Sequence, residues 1–205
     1  RYKSHTETRE LFSVSSQHYA FVVNAFVSLL KRADMTRYEL FLRETRTYEI
    51  IEDVKNFRSE IGVLFLNGYN RDVLTKMFDD NRLTYTSLFK ARPHIFVSKS
   101  NPLAKHKVVS LEDLEDFPYL SYDQGIHNSF YYSEEILSQI PHKKSIVVSD
   151  RATLFILLIG LDGYTIATGI LNSNLNGDNI VSIPLDVDDE IDIVYLKHEK
   201  ATLSK

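Results

Sequence analysis

The sequence predicts an α/β fold built from two Rossmann-like subdomains that are joined by two extended crossovers. Over the first 80 residues, short apolar strands alternate with helical segments in the order β-α-β-α-β-α, which is typical of a doubly wound sheet. The stretch Leu83–Lys99 is extended and interrupted at Pro93, so one strand leads into the next without a helix. We expect extended connections near residues 83–90 and 184–191, the second of which precedes the last strand. We therefore expect one subdomain to comprise residues 1–84 and 188–205, and the other to comprise residues 85–187.

The first subdomain begins with a strand at Leu11–Val14, which is followed by the N-cap-type residues Ser15 and Ser16. In the segment Gln17–Arg32, apolar residues recur at helical spacing on more than one side, so this helix has two surfaces to cover. Ile61–Leu66 is almost entirely apolar, as expected of a parallel strand covered on both faces. The other elements expected here are a strand at Tyr38–Arg43, a helix from Thr45 or Thr47 to Phe57, and a helix at Arg71–Asp80.

The second subdomain opens with a turn at Asn101, followed by a short helix. Ser110 is a suitable N-cap, Asp113 three residues later resembles a capping box, and Pro118 ends the helix at about Phe117. The remaining elements are expected to be strands at Tyr119–Tyr122, Ser145–Val148, Tyr164–Ala167, Ile180–Ile183 and Ile191–Leu196, and helices at Ser129–Gln139 and Ala152–Ile159.

Composition argues against several classes of function. The formal net charge of −4 gives no general attraction for nucleic acid, and the absence of cysteine excludes disulfides, thiolate chemistry and Cys-ligated zinc. The histidines show no metal-binding spacing, and no nucleophile or phosphate-binding motif is present, so we predict no catalytic residue, metal or cofactor. Without a signal peptide or an apolar run near ~20 residues, we expect a cytoplasmic protein. Because the chain does not begin with Met, we interpret it as a fragment or processed form.

Polar residues gather where the predicted strands end. In open α/β sheets, ligands bind beyond the carboxyl ends of the strands, where helix N-termini present free N–H groups. Two sheets joined by two crossovers would place such clusters across a cleft from one another, although each Ser or Asp alone could simply cap a helix. Asp150 would repel an anion, and Arg151 beside it could compensate. The residues expected to bind a small polar or anionic ligand are Ser15, Ser16, Gln17, Phe65, Asn67, Ser121, Tyr122, Gln124, Ser149 and Thr168.

The sequences of several segments resemble those of one known protein family. NPLAKHKVVSLEDLEDFPYLSYD, at Asn101–Asp123, resembles the segment that opens the second half of the effector-binding domain in LysR-type transcriptional regulators. LFSVSSQHY, SEIGVLFLNG and VVSDRATLFILLIGLDGYTIATGIL resemble other parts of that domain. Gly160 and Gly163 fit the family pattern, whereas Thr168-Gly169 replaces its usual Leu-Pro ending. The resemblance extends from about Leu11 to Tyr195.

The resemblance implies a fold similar to type 2 periplasmic binding proteins, with an effector in the cleft that changes the arrangement of subdomains and subunits. The effector would be a small polar or anionic metabolite, such as an amino-acid-like or sulfur-metabolism compound. DNA would be bound only through a winged helix-turn-helix that lies outside this chain, and no membrane would be involved. A homodimer, and a tetramer of the full-length protein, would form through Gln17–Arg32 and Tyr38–Arg43 of one chain against Ser129–Gln139 of its partner.

Two alternatives remain open from the sequence. A solute-binding protein of a transporter would share the fold, and an enzyme on this fold would need a reactive group that the motifs do not reveal. An upstream helix-turn-helix would favour the regulator, whereas an export signal would favour the transporter protein.

Overall fold

The structure, a computed structural model, describes residues 10–32, 37–171 and 177–203. Two five-stranded mixed sheets carry the helices, which confirms the predicted α/β class. In chain order the elements are β1 (Glu10–Ser16), α1 (Ala20–Arg32), β2 (Tyr38–Glu44), α2 (Thr47–Lys55), β3 (Ile61–Leu66), α3 (Arg71–Asp80), β4 (Leu83–Ala91), β5 (His94–Ser98), β6 (Tyr119–Tyr122), β7 (Ser145–Val148), α4 (Arg151–Gly160), β8 (Tyr164–Ala167), β9 (Ile180–Pro184) and β10 (Ile191–His198).

The first sheet has the strand order β2-β1-β3-β10-β4, so the last strand returns to the first subdomain. β1 pairs in parallel with β2 and β3, whereas β10 runs antiparallel to β3 and β4. α2 and α3 bury their apolar stripes against this sheet, where Ile50, Ile51 and Phe78 are completely inaccessible to solvent. Gly62 of β3 permits the close approach of α2, because a Cβ there would lie 2.6 Å from the Ile50 side chain.

The second sheet has the order β7-β6-β8-β5-β9, and α4 packs against it. Asp150 caps α4, since its carboxylate accepts a 2.8 Å hydrogen bond from the Thr153 N–H. The predicted capping box is present: the Ser110 N–H donates to the Asp113 carboxylate at 2.9 Å, and the Asp113 N–H donates to the Ser110 hydroxyl at 3.3 Å. It encloses a single 3₁₀ turn at Glu112–Leu114, which is shorter than the expected helix.

The chain passes between the sheets twice. β4 belongs to the first sheet and β5 to the second, so the first passage is made by Arg92 and Pro93. β4 runs across the boundary expected between residues 84 and 85, so the change of sheet comes later in the chain. The return passage lies between Pro184 and Ile191, where the second extended connection was expected.

The expected helix at Ser129–Gln139 is wrong. This segment has one 3₁₀ turn at Phe130–Tyr132 and continues as irregular backbone. Leu137 has a φ of 58°, which a right-handed helix cannot contain. The carboxylates of Glu134 and Glu135 both accept backbone hydrogen bonds, from His18 and Tyr122 respectively. We call residues 123–140 the cleft segment.

Candidate functional site

A closed cleft lies between the two sheets, next to the start of α1 and the carboxyl ends of β6 and β8. Its free volume is about 50 Å³, which is room for roughly one or two water molecules and far below the ~300 Å³ of a typical small-molecule pocket. The lining residues are His18–Phe21, Phe65 and Ile191 from the first subdomain, and Phe96, Tyr122, Glu134–Ile136, Arg151, Leu154, Phe155, Thr165–Thr168 and Ile170 from the second.

His18 and Glu134 form an ion pair across this cleft. The His18 backbone N–H donates to Glu134 Oε1 at 2.8 Å, and the ring nitrogen Nδ1 lies 2.9 Å from Oε2 and 3.1 Å from Oε1. The carboxylate is thus held by one backbone and one side-chain donor of the same residue. Gln124 Nε2 is a more distant donor, 3.5 Å from Oε2. These contacts join the cleft segment to the residues that precede α1.

The His18–Glu134 pair is nearly closed to solvent, with side-chain exposures of 6% and 4%. The His18 ring also stacks on Tyr122, with ring centroids 4.0 Å apart and an angle of 7° between the planes. Burial alone lowers the pKa of His18, but the hydrogen bond and the negative charge of Glu134 outweigh it and raise the pKa. The site therefore favours a protonated imidazole facing a carboxylate.

Glu135 has a different environment from its neighbour Glu134. Its carboxyl group is completely buried and accepts a 2.9 Å hydrogen bond from the Tyr122 N–H. Burial, together with the charge of Glu134, raises the pKa of Glu135 to about 8. At neutral pH this carboxyl group is therefore mostly protonated.

Arg151, at the start of α4, provides a second cation beside the cleft. Its Nε lies 3.1 Å from Glu44 Oε1 at the end of β2, so this ion pair also joins the two subdomains. The positive charges of His18 and Arg151 are each neutralised by a carboxylate of the opposite subdomain. The cleft consequently holds cationic groups suited to an anion, but both are occupied.

Further contacts around the cleft hold the cleft segment against α2 and α3. The Thr47 N–H at the start of α2 donates to Gln124 Oε1 at 3.0 Å, and Arg46 forms an ion pair with Asp123. The Tyr48 and His127 rings stack with their centroids 3.5 Å apart. Tyr69 and Tyr131 stack in the same way at 4.8 Å.

Three of the ten residues expected in the site line this cleft: Phe65, Tyr122 and Thr168. Gln124 lies at its margin, where it contacts both Thr47 and Glu134.

The other expected residues lie outside the lining of this cleft. The Ser15 hydroxyl donates to Asp53 at 2.6 Å, and Ser16 donates to its neighbour's carbonyl oxygen at 2.7 Å. The Gln17 amide bonds Thr47, Tyr19 and the Phe65 N–H. Asn67 accepts from Tyr69 and Asn70 within its own turn and donates to Asp189. Ser121 lies within β6, and Ser149 is exposed before α4.

The sequence did not single out His18, Glu134 and Glu135 as site residues. The paired acids were noticeable, but the expected helix would point neighbouring side chains in different directions. The irregular backbone instead brings both to one cavity. His18 follows the strand-end residues Ser15–Gln17 directly, so its position was a usable signal.

Across residues 10–32, 37–171 and 177–203, no three His, Asp or Glu side chains are arranged to hold a metal ion. None of the helices described is long and apolar enough to cross a membrane.

Comparison with known proteins gives one family match. The model of the LysR substrate binding domain matches residues 15–204. Among curated protein sequences, none matches this chain at a significant level.

Solved structures share the fold. The effector-binding domain of a BenM variant is 18% identical, with a TM-score of 0.63 over 95% of this chain and 88% of that one. The effector-binding domain of QuiR in complex with shikimate is 16% identical, with a TM-score of 0.62 over 96% and 91%. A putative LysR family regulator from Pseudomonas aeruginosa, the PA01 protein, is 14% identical, with a TM-score of 0.61. This chain is covered over 96% of its length but spans only 66% of the PA01 protein.

Proposed function

Because this chain belongs to the LysR substrate binding domain family, we propose that it is the effector-sensing domain of a bacterial transcription regulator. The observation that carries the proposal is the cleft between the sheets, in which the His18 N–H and ring hold a carboxylate. A site that binds one carboxylate group has the donors needed to bind another. The family match favours this function over a transporter's solute-binding protein.

The effector is a small anionic or polar metabolite in this proposal. Its negative group would take the donors of His18, and Arg151 would add a second positive charge once it is released from Glu44. Phe65, Tyr122 and Thr168 would contact the rest of the molecule. Of the remaining expected residues, Ser15 and Gln17 support the site indirectly, since their hydrogen bonds to Asp53 and to the Phe65 N–H hold the end of β1 that precedes His18.

Binding would alter the angle between the subdomains. The two passages at residues 92–93 and 185–190 are the covalent connections between the sheets in the described chain, and we propose them as the hinge. The cavity of about 50 Å³ requires the subdomains or the cleft segment to move before a metabolite enters. Such movement gives a physical route from binding to a changed subunit arrangement.

A thermal-shift screen tests the proposal. Amino acids, dicarboxylates and sulfur-containing acids are added to the chain, and at least one is expected to raise Tm by several degrees. A ligand at 100 times its Kd stabilises the folded state by about 2.7 kcal/mol. If no compound in a broad metabolite panel raises Tm, the proposal fails.

A matched pair of variants locates the binding site. Thr168→Val removes a hydroxyl group from the cleft with little change in volume. We expect it to lower the affinity for the stabilising compound by about five- to tenfold in calorimetry, which corresponds to the loss of one hydrogen bond. Thr86→Val, on the exposed face of β4, is the control and leaves the affinity unchanged. Equal affinities for all three proteins would place the effector outside the cleft.

We propose that the parent protein binds DNA through a domain outside this chain and assembles as a homodimer, with a tetramer at full length. α1 and the edge strand β2 expose Leu29, Tyr38 and Phe41, an apolar surface that a second chain would cover. The partner surface expected at Ser129–Gln139 has no α-helix, so the proposal rests on α1 and β2. Sedimentation of Leu29→Glu should show dissociation, whereas Leu111→Glu, at another exposed leucine, should not dissociate the dimer.

A further inference from the structure

We propose that Glu134 is an internal ligand of the effector cleft, and that the effector is a carboxylate that binds by displacing the Glu134 carboxylate from His18. This inference rests on the proposed function and adds both the chemical class of the effector and the competitor that controls its entry. The cleft would thus be closed by a side chain of the same protein, carrying the chemical group that the effector carries.

The contacts of Glu134 resemble those of a bound carboxylate more than those of a surface ion pair. Both of its oxygens are engaged, by the His18 N–H at 2.8 Å and by His18 Nδ1 at 2.9 and 3.1 Å. The carboxylate also comes from the opposite subdomain, 116 positions along the chain from His18. Glu134 thus occupies both the backbone N–H and Nδ1 of His18, and Tyr122 stacks on the ring.

The space in the cleft excludes simultaneous occupation. A carboxylate-bearing metabolite does not fit into about 50 Å³ beside Glu134, so the effector and the Glu134 carboxylate compete for His18. Such competition reduces the apparent affinity for the effector in proportion to the fraction of molecules in which His18 is not bound by Glu134.

The backbone around Glu134 is irregular, which favours its local displacement from His18. The cleft segment makes no α-helix around Glu134. Leu137 has a left-handed φ of 58°, a conformation that is energetically unfavourable for residues other than glycine. Side-chain contacts such as the Tyr48–His127 stack hold the segment in place. Glu134 can therefore be released by local opening of the backbone around it, without unfolding either sheet.

The charges around His18 make a carboxylate the fitting ligand. His18 interacts electrostatically with three carboxylates and one guanidinium group, those of Glu134, Glu44, Asp150 and Arg151. Tyr122 covers its ring. Removing Glu134 from this set leaves His18 without its hydrogen-bonding anion. An incoming carboxylate would restore the same charge balance, whereas a neutral amide would not.

Chemical rescue provides the test, with acetate as the probe. Glu134→Ala removes the internal carboxylate and leaves the His18 donors unpaired, so sodium acetate should raise the Tm of this variant by several degrees. Acetamide and sodium chloride at the same concentration should not do so. The wild-type chain and Glu112→Gln, a control at an exposed acid, should show no acetate-specific shift. An equal response of Glu134→Ala and wild type to acetate, including no response, would overturn the inference.

A second variant covers the case in which Glu134→Ala fails to fold. Glu134→Gln keeps the size of the side chain and loses its charge, so it should bind the carboxylate hit from the metabolite screen about tenfold more tightly than wild type, as expected when a charge-assisted competitor is removed. Unchanged or weaker binding would overturn the internal-ligand inference while leaving the proposed function intact. Failure of wild type and both variants to bind any metabolite would overturn the proposed function itself.

Discussion

The two subdomains use the ends of their strands in different ways. In the first, the polar residues at the end of β1 are bonded within the subdomain: Ser15 to Asp53, and Gln17 to the Phe65 N–H of β3. In the second, the segment after β6 forms no α-helix and carries Glu134 to the opposite subdomain, where its carboxylate binds His18. We therefore propose that the first subdomain presents a fixed binding surface and that the second supplies its removable occupant, Glu134.

This difference predicts an order of energetic effects. Substitutions in the helix-covered core of the first subdomain should cost the most stability, because that core supports the fixed surface. Substitutions in the cleft segment should lower the free energy of unfolding by less. Their effects should either depend on pH or appear only as faster local opening of this segment.

The largest effect is expected for Phe78→Ala. Phe78 of α3 is completely buried against the first sheet, so its removal should lower the free energy of unfolding by about 3–5 kcal/mol in urea denaturation. Ile156→Ala on α4, where the side chain is 68% exposed, is the control and should change it by less than about 0.5 kcal/mol. Similar values for the two variants would remove the distinction between a rigid scaffold and its surface.

An intermediate, pH-dependent effect is expected for Glu135→Gln. The pKa of Glu135 is raised by burial from 4.5 to about 8, so the fold favours the protonated acid. The stabilisation from the protonated Glu135 carboxyl group is therefore fully present below about pH 4.5 and is lost as the pH rises through about 8. A difference of one pH unit between the folded and unfolded pKa corresponds to ~1.4 kcal/mol in the free energy of unfolding. His18, whose pKa is also raised, contributes in the same direction.

Urea denaturation between about pH 5 and pH 8 measures this effect. The wild-type chain should lose a few kcal/mol across the interval, and Glu135→Gln should lose distinctly less. Asp113 and Asp150, whose pKa values are lowered by hydrogen bonds, titrate below this interval and do not obscure it. Parallel curves for wild type and Glu135→Gln would show that the buried acid is not the source of the slope.

The smallest effect is expected for Tyr48→Leu. This change removes the 3.5 Å ring stack on His127 and should cost about 0.5–1.5 kcal/mol. Hydrogen exchange should become faster in residues 123–140, while the amides of β3 keep their protection. Tyr38→Leu, on the exposed edge strand β2, should leave the exchange of the cleft segment unchanged. Faster exchange throughout both sheets would indicate that the segment is not a separate unit.

Most of the fold could be predicted from the sequence because its strands are short apolar runs bounded by turn residues. Ile61–Leu66 is an example, since an almost wholly apolar run of this length, followed by the turn at Asn67-Gly68, is typical of a strand covered on both faces. The interruption at Pro93 was also visible, because proline interrupts one strand before the next begins, although the connection itself was expected earlier, near residues 83–90. These signals are local, and tertiary contacts do not override them.

The cleft segment could not be predicted because its conformation depends on contacts with the other subdomain. Ser129–Gln139 has apolar residues at helical spacing, but the stacks of Tyr131 on Tyr69 and His127 on Tyr48 favour an irregular path. The same cause separates the expected site from the observed cleft. Thr168 and Tyr122 were expected from their strand ends, whereas Glu134 reaches the cleft only because its backbone is not helical.

The central claim is that a carboxylate effector replaces Glu134 at His18. A crystal structure of the chain with the metabolite that gives the largest Tm shift tests it most directly. The account predicts the effector carboxylate within hydrogen-bond distance of the His18 N–H and Nδ1, with Glu134 withdrawn from both atoms. An effector bound elsewhere, with the 2.8 and 2.9 Å contacts between His18 and Glu134 intact, would contradict it.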